Sequence, residues 1–216
     1  MKKLFSMLLA VAMMLSLCLC FAACGNLAPE QILPSEEPEI SMGSYSGNTY
    51  RNDFLGLSCT VPEGWEFYSE KELLELNGFI GEYVSEEVQE QLENANVVFD
   101  MFAQHPTEGS SINVNMEKLN AVQLISLDIQ KTLESQIPGI ESSYQEMGYT
   151  DVQVNSQKAT IDGKEFDSLF VSAKVNGMDF VLVCFAFRKG NYLVNVSAGT
   201  LQTEKLNSLL GCFTLQ

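Results

Sequence analysis

Over its last third the chain alternates hydrophobic and polar positions in long runs separated by tight-turn dipeptides. Asp162-Gly163 and Asn176-Gly177 each supply two residues that accept positive φ, as a two-residue hairpin turn requires. Lys189-Gly190-Asn191 marks a third reversal. The pattern predicts a meander of strands over 151–161, 164–175, 178–188 and 192–198. Phe180 to Phe187 is apolar on both faces, so this strand is expected to be covered on both sides. Nearer the N-terminus, Leu55, Leu57, Cys59 and Val61 alternate with Gly56, Ser58 and Thr60, the mark of a half-buried strand. Pro62-Glu63-Gly64 ends it, and Trp65 follows. Two more strands are expected near 96–103 and 111–117, joined by a loop containing His105, Pro106 and Gly109.

Helical spacing fills the gaps between these strands. Ser69 and Glu72 form a capping box, and Leu73, Leu76, Ile80, Val84, Val88 and Leu92 continue an apolar stripe. Gly78 and Gly81 divide that stripe into two short helices, the second capped by Ser85. Asn120 and Gln123 open another helix with Ile125, Ile129, Leu133 and Ile137 at i, i+4 spacing, which Pro138 and Gly139 should stop. A short helical turn is expected before Gly148. A last helix runs from Thr203 through Leu206, Leu209 and Leu210 to Gly211, before Phe213 and Leu215. No βαβ unit repeats. The expected class is therefore α+β, a largely antiparallel sheet of about seven strands with helices on both faces.

The first 49 residues follow neither period. Lys2 and Lys3 precede an apolar run from Leu4 to Ala23. Phe21-Ala22-Ala23 then stands directly before Cys24. Small residues ahead of a cysteine resemble the lipobox of bacterial lipoproteins, with Phe21 where that family favours Leu, Val or Ile. A plain secretory peptide or an uncleaved anchor are the alternatives. The resemblance implies cleavage before Cys24 and a diacylglycerol thioether (with further acylation such as palmitate) on that residue. Two or more acyl chains suffice for stable attachment. The expected division is a signal peptide over 1–23, a tether over 24–49 and a folded domain over 50–216. In the tether, Pro29, Pro34 and Pro38 mix with glycine, serine and four unopposed glutamates, a composition that stays extended. The expected location is the outer face of the cell membrane.

Charge sharpens the picture. The 216 residues hold 28 acids and 12 bases, net −16, which argues against nucleic-acid binding. The acids are uneven: residues 52–117 carry 14 of them against Lys71 alone, whereas 118–216 carry 10 acids and 8 bases. Acids in first helical turns complement the helix dipole. The remainder form a single-sign surface: either a solvated face that aids solubility, or a docking face for a basic envelope protein or a cation, with Glu86, Glu87 and Glu90 as the candidate contacts.

Tyr50, Asn52, Phe54, Gly56 and Leu57, followed by Thr60-Val61-Pro62-Glu63-Gly64-Trp65, resemble the opening of PsbP-like domains. That family has an antiparallel sheet between helices and ends in a helix with a short apolar tail, as 203–215 does here. Its members bind proteins or assist assembly, as the photosystem II extrinsic subunit does. The resemblance therefore implies a non-enzymatic binding or assembly module and supplies no catalytic residues. The alternative reading is a module for a small ligand or cation.

Catalytic and metal chemistry finds little to stand on. The lone His105 excludes sites built on two histidines, and no Cys-x-x-Cys pair or His-Glu-x-x-His helix is present, so no metal or cofactor is expected. His105 is expected to face solvent in its loop. No Gly-x-Ser-x-Gly elbow, phosphate loop or dinucleotide fingerprint occurs. Paired carboxylates, as in glycosidases, are not excluded by composition. With Cys24 lipidated, Cys59, Cys184 and Cys212 remain in the domain, either as buried free thiols or as one disulfide with a thiol left over. Trp65 is expected to plug the end of the sheet.

Overall fold

The computed structural model describes residues 40–78 and 95–216. These form an α+β sandwich. Seven antiparallel strands make the main sheet: β4 (Glu66–Phe67), β5 (Val97–His105), β6 (Ser110–Lys118), β7 (Thr150–Ile161), β8 (Lys164–Val175), β9 (Met178–Lys189) and β10 (Tyr192–Thr200). Their order is β4-β5-β6-β10-β9-β8-β7. The meander turns form as the sequence predicts. Asp162 and Asn176 adopt φ of 48° and 51°, each followed by a glycine in the same region, so the turn twist matches the strand twist.

A smaller sheet of order β1-β2-β3-β11 packs on one face: β1 (Ser44–Ser46), β2 (Thr49–Asn52), β3 (Leu57–Thr60) and β11 (Phe213–Leu215). Between the sheets lie Tyr50, Leu57 and Cys59 from the small sheet, against Met101, Val114, Val183, Phe185 and Val196 of the large one. Four helices are described: α1 (Glu70–Leu76), α2 (Ala121–Ser126), α3 (Ile129–Glu146) and α4 (Leu206–Leu210). Helix α3 covers the opposite face of the large sheet through Leu133, Ile140 and Tyr144, against Leu169, Val171, Phe180 and Leu182. Helix α4 supplies Leu206 and Leu209 to the inter-sheet core. Helices thus lie on both faces, but a second sheet does most of the covering on one of them. The strand expected over 55–61 belongs to that second sheet, where β3 pairs with β2 and β11.

The structure changes two boundaries. Residues 40–49, expected within the tether, join the fold: Ile40 is buried, and β1 pairs with β2. The reason is Asp100. An extra residue in β5 breaks the register between Phe99 and Met101 and sends this carboxylate into the inter-sheet core. There it accepts hydrogen bonds from the Tyr50 hydroxyl, from Asn52 Nδ2 at 2.6 Å and from the Gly43 N–H at 2.6 Å, while Tyr45 bonds its carbonyl. The hairpin is pinned by a buried acceptor that no local pattern announces.

The second change is at Pro138, which does not stop its helix. Helix α3 runs 18 residues through it to Glu146, because Ile140 and Tyr144 beyond the proline bury against the sheet. The break falls earlier, where Leu127 turns extended and Asp128 caps α3. The capping boxes at Ser69/Glu72 and Asn120/Gln123 both form.

Candidate functional site

Strands β6 and β10 are central, and their two faces differ sharply. Toward the small sheet they present Ile112, Val114 and Met116 beside Val194, Val196 and Ala198, all buried and apolar. The other face presents Ser111, Asn113, Asn115 and Glu117 on β6, with Asn195 and Ser197 on β10. Register places these in rows. Asn115 stands opposite Asn195, with Phe99 on one flank and Ala186 on the other. Asn113 stands opposite Ser197, between Phe102 and Cys184. Glu117 stands opposite Leu193 at one end of the strip.

The strip is buried: Asn113 is 1%, Asn115 2%, Asn195 4% and Ser197 1% exposed. Asn195 Nδ2 donates to Asn115 Oδ1 at 3.2 Å. Four further atoms have no partner: both amide atoms of Asn113, Nδ2 of Asn115 and Oδ1 of Asn195, while Ser197 Oγ meets the Cys184 thiol. Each orphaned buried polar atom costs about 1–3 kcal/mol. Four together reach the range of a whole domain's stability, roughly 5–15 kcal/mol. Apolar side chains would fit this sheet at no such cost, as the opposite face of the same strands shows.

To one side of the strip, α1 packs Leu73 on Phe99 and Phe102. Asn77 ties that helix down by accepting from the Phe99 N–H at 2.7 Å and donating to the Phe99 carbonyl at 2.9 Å. To the other side lies α3, which adds Gln136 to its buried face, with Oε1 unpartnered. Burial pushes the Glu117 carboxyl up from its usual range to about 7. Desolvation alone moves it: Arg188 stands two strands away in the same row, opposite Leu193, and donates to the Gly190 and Leu124 carbonyls.

The residues singled out from sequence sit elsewhere. Cys24, Glu86, Glu87 and Glu90 lie outside the described residues, as does the helix expected to start at Ser85. Of the acids around α1, Glu63, Glu66, Glu70, Glu72 and Glu75 are exposed. Ser69 holds the Glu72 carboxylate below its usual range through two hydrogen bonds. Trp65 is half-buried against the inter-sheet core, edge-on to the His105 ring at 6.2 Å. His105 closes β5 rather than facing solvent: its side chain is only 18% exposed, because Trp65 and Gly64 lie over it. Its Nδ1 faces the Thr107 N–H and hydroxyl, and Nε2 lies 3.9 Å from Glu108, which Lys205 engages at 2.7 Å.

Cys59, Cys184 and Cys212 are free thiols. Burial pushes Cys184 up to about 12 and raises Cys59 and Cys212 as well, so none is an activated nucleophile. Among the described residues, no three His, Cys, Asp or Glu side chains group to hold a metal ion, and no helix is long and apolar enough to cross a membrane.

No family model and no curated protein matches the chain. Among solved structures it is similar to LpqN of Mycobacterium tuberculosis, a protein involved in cell envelope biogenesis. That likeness has 15% identity and a TM-score of 0.41, over 74% of this chain and 83% of that one. A protein of Bacteroides thetaiotaomicron VPI-5482 matches at 10% identity and a TM-score of 0.40, over 79% of this chain and 48% of that one. PA94 of Pseudomonas aeruginosa, a protein of unknown function, matches at 10% identity and a TM-score of 0.29, over 44% and 62%. Likenesses this distant carry no argument about role.

Proposed function

We propose that the protein is a lipid-anchored component of the cell envelope and that its domain works by binding rather than by catalysis. The anchor rests on the sequence around Cys24. The binding role rests on one observation, the buried strip of Asn113, Asn115, Asn195 and Ser197 with its unmet hydrogen-bonding atoms. A sheet held only by its own packing gains nothing from such atoms, and a bound molecule can satisfy them. The strip offers neutral amides and a hydroxyl, groups that hold and orient a ligand without driving a reaction.

The test uses full-length protein extracted from its own membranes. Native mass spectrometry is expected to show a co-purifying adduct that Asn113→Leu protein lacks. An identical spectrum for both proteins sinks the binding role at this strip. In the same membranes Cys24→Ala is expected to shift the protein into the soluble fraction; full retention overturns the lipid anchor in favour of an uncleaved helix.

A second reading, docking of a basic envelope protein, is favoured by the row of exposed glutamates on and before α1. Crosslinking in intact envelopes should then recover a partner that is lost when Glu86, Glu87 and Glu90 are changed to glutamine. Unchanged recovery refutes that docking face.

A further inference from the structure

Helix α2 turns apolar side chains outward as well as inward. Leu124 and Leu127 pack on the core beneath α3. Val122 and Ile125, three positions apart and so on one face, are 60% and 84% exposed. The helix is held this way round by contacts on both sides. Asn120 and Gln123 cap its start, and Arg188 donates to the Leu124 carbonyl at 3.3 Å. Single exposed apolar residues are ordinary on a protein surface. A pair displayed on one helical turn beside basic residues has the pattern of a surface that lies on lipid.

The basic residues stand out in a chain of net charge −16. Residues 118–131 and 188–192 together hold four bases, Lys118, Lys131, Arg188 and Lys189, and one acid, Asp128. Lys131 engages that acid at 3.1 Å. The two stretches meet in the fold: the Leu119 N–H donates to the Asn191 carbonyl, and Arg188 reaches α2. Lys118 and Lys189 flank Tyr192 in one row at the end of the large sheet.

The chain enters the domain at this same end. Asn52 Nδ2 donates to the Ser41 carbonyl at 2.8 Å, and two residues further on the Phe54 ring meets Tyr192 edge-on at 5.9 Å. Tyr192 begins β10, directly after the turn whose Asn191 holds the approach to α2. Cys24 lies 16 residues before Ile40. A coil of that length spans roughly 20–25 Å. An anchor on Cys24 therefore keeps this end of the domain within one short span of the bilayer. At such range a surface too weak to bind from solution meets lipid at high effective concentration.

We propose that α2 and the β9–β10 turn dock on the anionic lipid bilayer to which the chain is anchored. Val122 and Ile125 enter the headgroup boundary, and Lys118, Arg188 and Lys189 supply the positive charge beside them. This rests on the reading of the protein as membrane-anchored and adds which face of the domain meets the membrane.

The test is hydrogen–deuterium exchange, read by mass spectrometry, on full-length protein extracted from its own membranes. The protein is compared in phosphatidylglycerol nanodiscs, in phosphatidylcholine nanodiscs and in detergent. Amides of 121–127 and 189–192 are expected to exchange slower on phosphatidylglycerol by about fivefold or more. High salt should shrink that difference, because it screens the bases from the headgroups. Val122→Ser with Ile125→Ser should abolish it without lowering the melting temperature, since both side chains are exposed. Should the double variant fold poorly, Ile125→Gln alone is expected to cut the protection severalfold. Met178→Ser, which removes an exposed apolar residue at the opposite end of β9, should leave it intact.

Equal exchange in all three surroundings overturns the proposal, as does protection indifferent to the α2 variants. Equal protection on the two bilayers overturns anionic lipid as the partner. Protection that persists in detergent and grows with protein concentration assigns the face to a second copy of the chain, and overturns it too. The anchor is judged separately: Cys24→Ala protein that stays in the membrane sinks the lipid thioether, whereas the exchange of α2 reports on docking however the chain is held.

Discussion

Glu117 ties the site to stability in a way that can be measured. Its carboxyl is 9% exposed, and burial alone carries it from an ordinary value of 4.5 to about 7. The folded protein therefore holds a proton on Glu117 between these pH values that the unfolded chain has already released. Stability is greatest below 4.5 with respect to this group and is lost as pH rises through about 7. At ~1.4 kcal/mol for each tenfold change in proton affinity, the ceiling on that loss is about 3 kcal/mol. The residual exposure of the side chain brings the expectation to about 2 kcal/mol. Glu117→Gln keeps the shape and removes the titration. Urea denaturation of both proteins at pH 5, 6, 7 and 8 should show the stability gap moving in favour of the variant by that amount, mostly between pH 5 and 7. Other groups cancel in the difference. Parallel pH curves, or a gap that moves the other way, would refute a desolvated Glu117.

Asp100→Ala leaves the Tyr50 hydroxyl and the Gly43 N–H without an acceptor; Asn52 keeps its bond to the Ser41 carbonyl. The expected cost is about 3–5 kcal/mol, read as a lowered urea midpoint with protease sensitivity appearing first around residues 40–52. Tyr50→Phe should cost less, about 1–2 kcal/mol. Pro138→Ala restores a donor in the middle of α3 and is expected to stabilise by about 1 kcal/mol or more in the same assay. Alkylation under denaturing, non-reducing conditions should label Cys59, Cys184 and Cys212 alike, while the folded protein leaves Cys59 and Cys184 unlabelled for hours. A denatured sample with one labelled thiol would instead reveal a disulfide.

Much of the fold was written in short-range signals. The Asp-Gly and Asn-Gly turns set the meander register, and the two capping boxes placed helix starts to the residue. What escaped has a common cause in tertiary context. β1, β2, β4 and β11 are two to four residues long, too short for a period to show, and exist because partners hold them. Pro138 obeyed burial over propensity. The polar strip was visible as an alternation, Ser111, Asn113, Asn115 and Glu117. Alternating polar residues ordinarily mark a solvent face, however, and nothing local says that this one is buried. Its other half, Asn195 and Ser197, joins through a pairing that sequence spacing does not encode. The glutamates drew attention by number, whereas the strip is built from uncharged residues that composition does not flag.

The pairing of β3 with β11 has a consequence for the way this chain is made. Leu57 lies opposite Leu215 and Cys59 opposite Phe213, so an early strand waits for one of the last. Loop closure over such a separation is slow and entropically costly, so the small sheet completes late. A chain delivered N-terminus first cannot close it until residues 213–215 have emerged. Under the export proposed above, that delay keeps the chain pliable until β11 has crossed, and the arrival of β11 closes the small sheet.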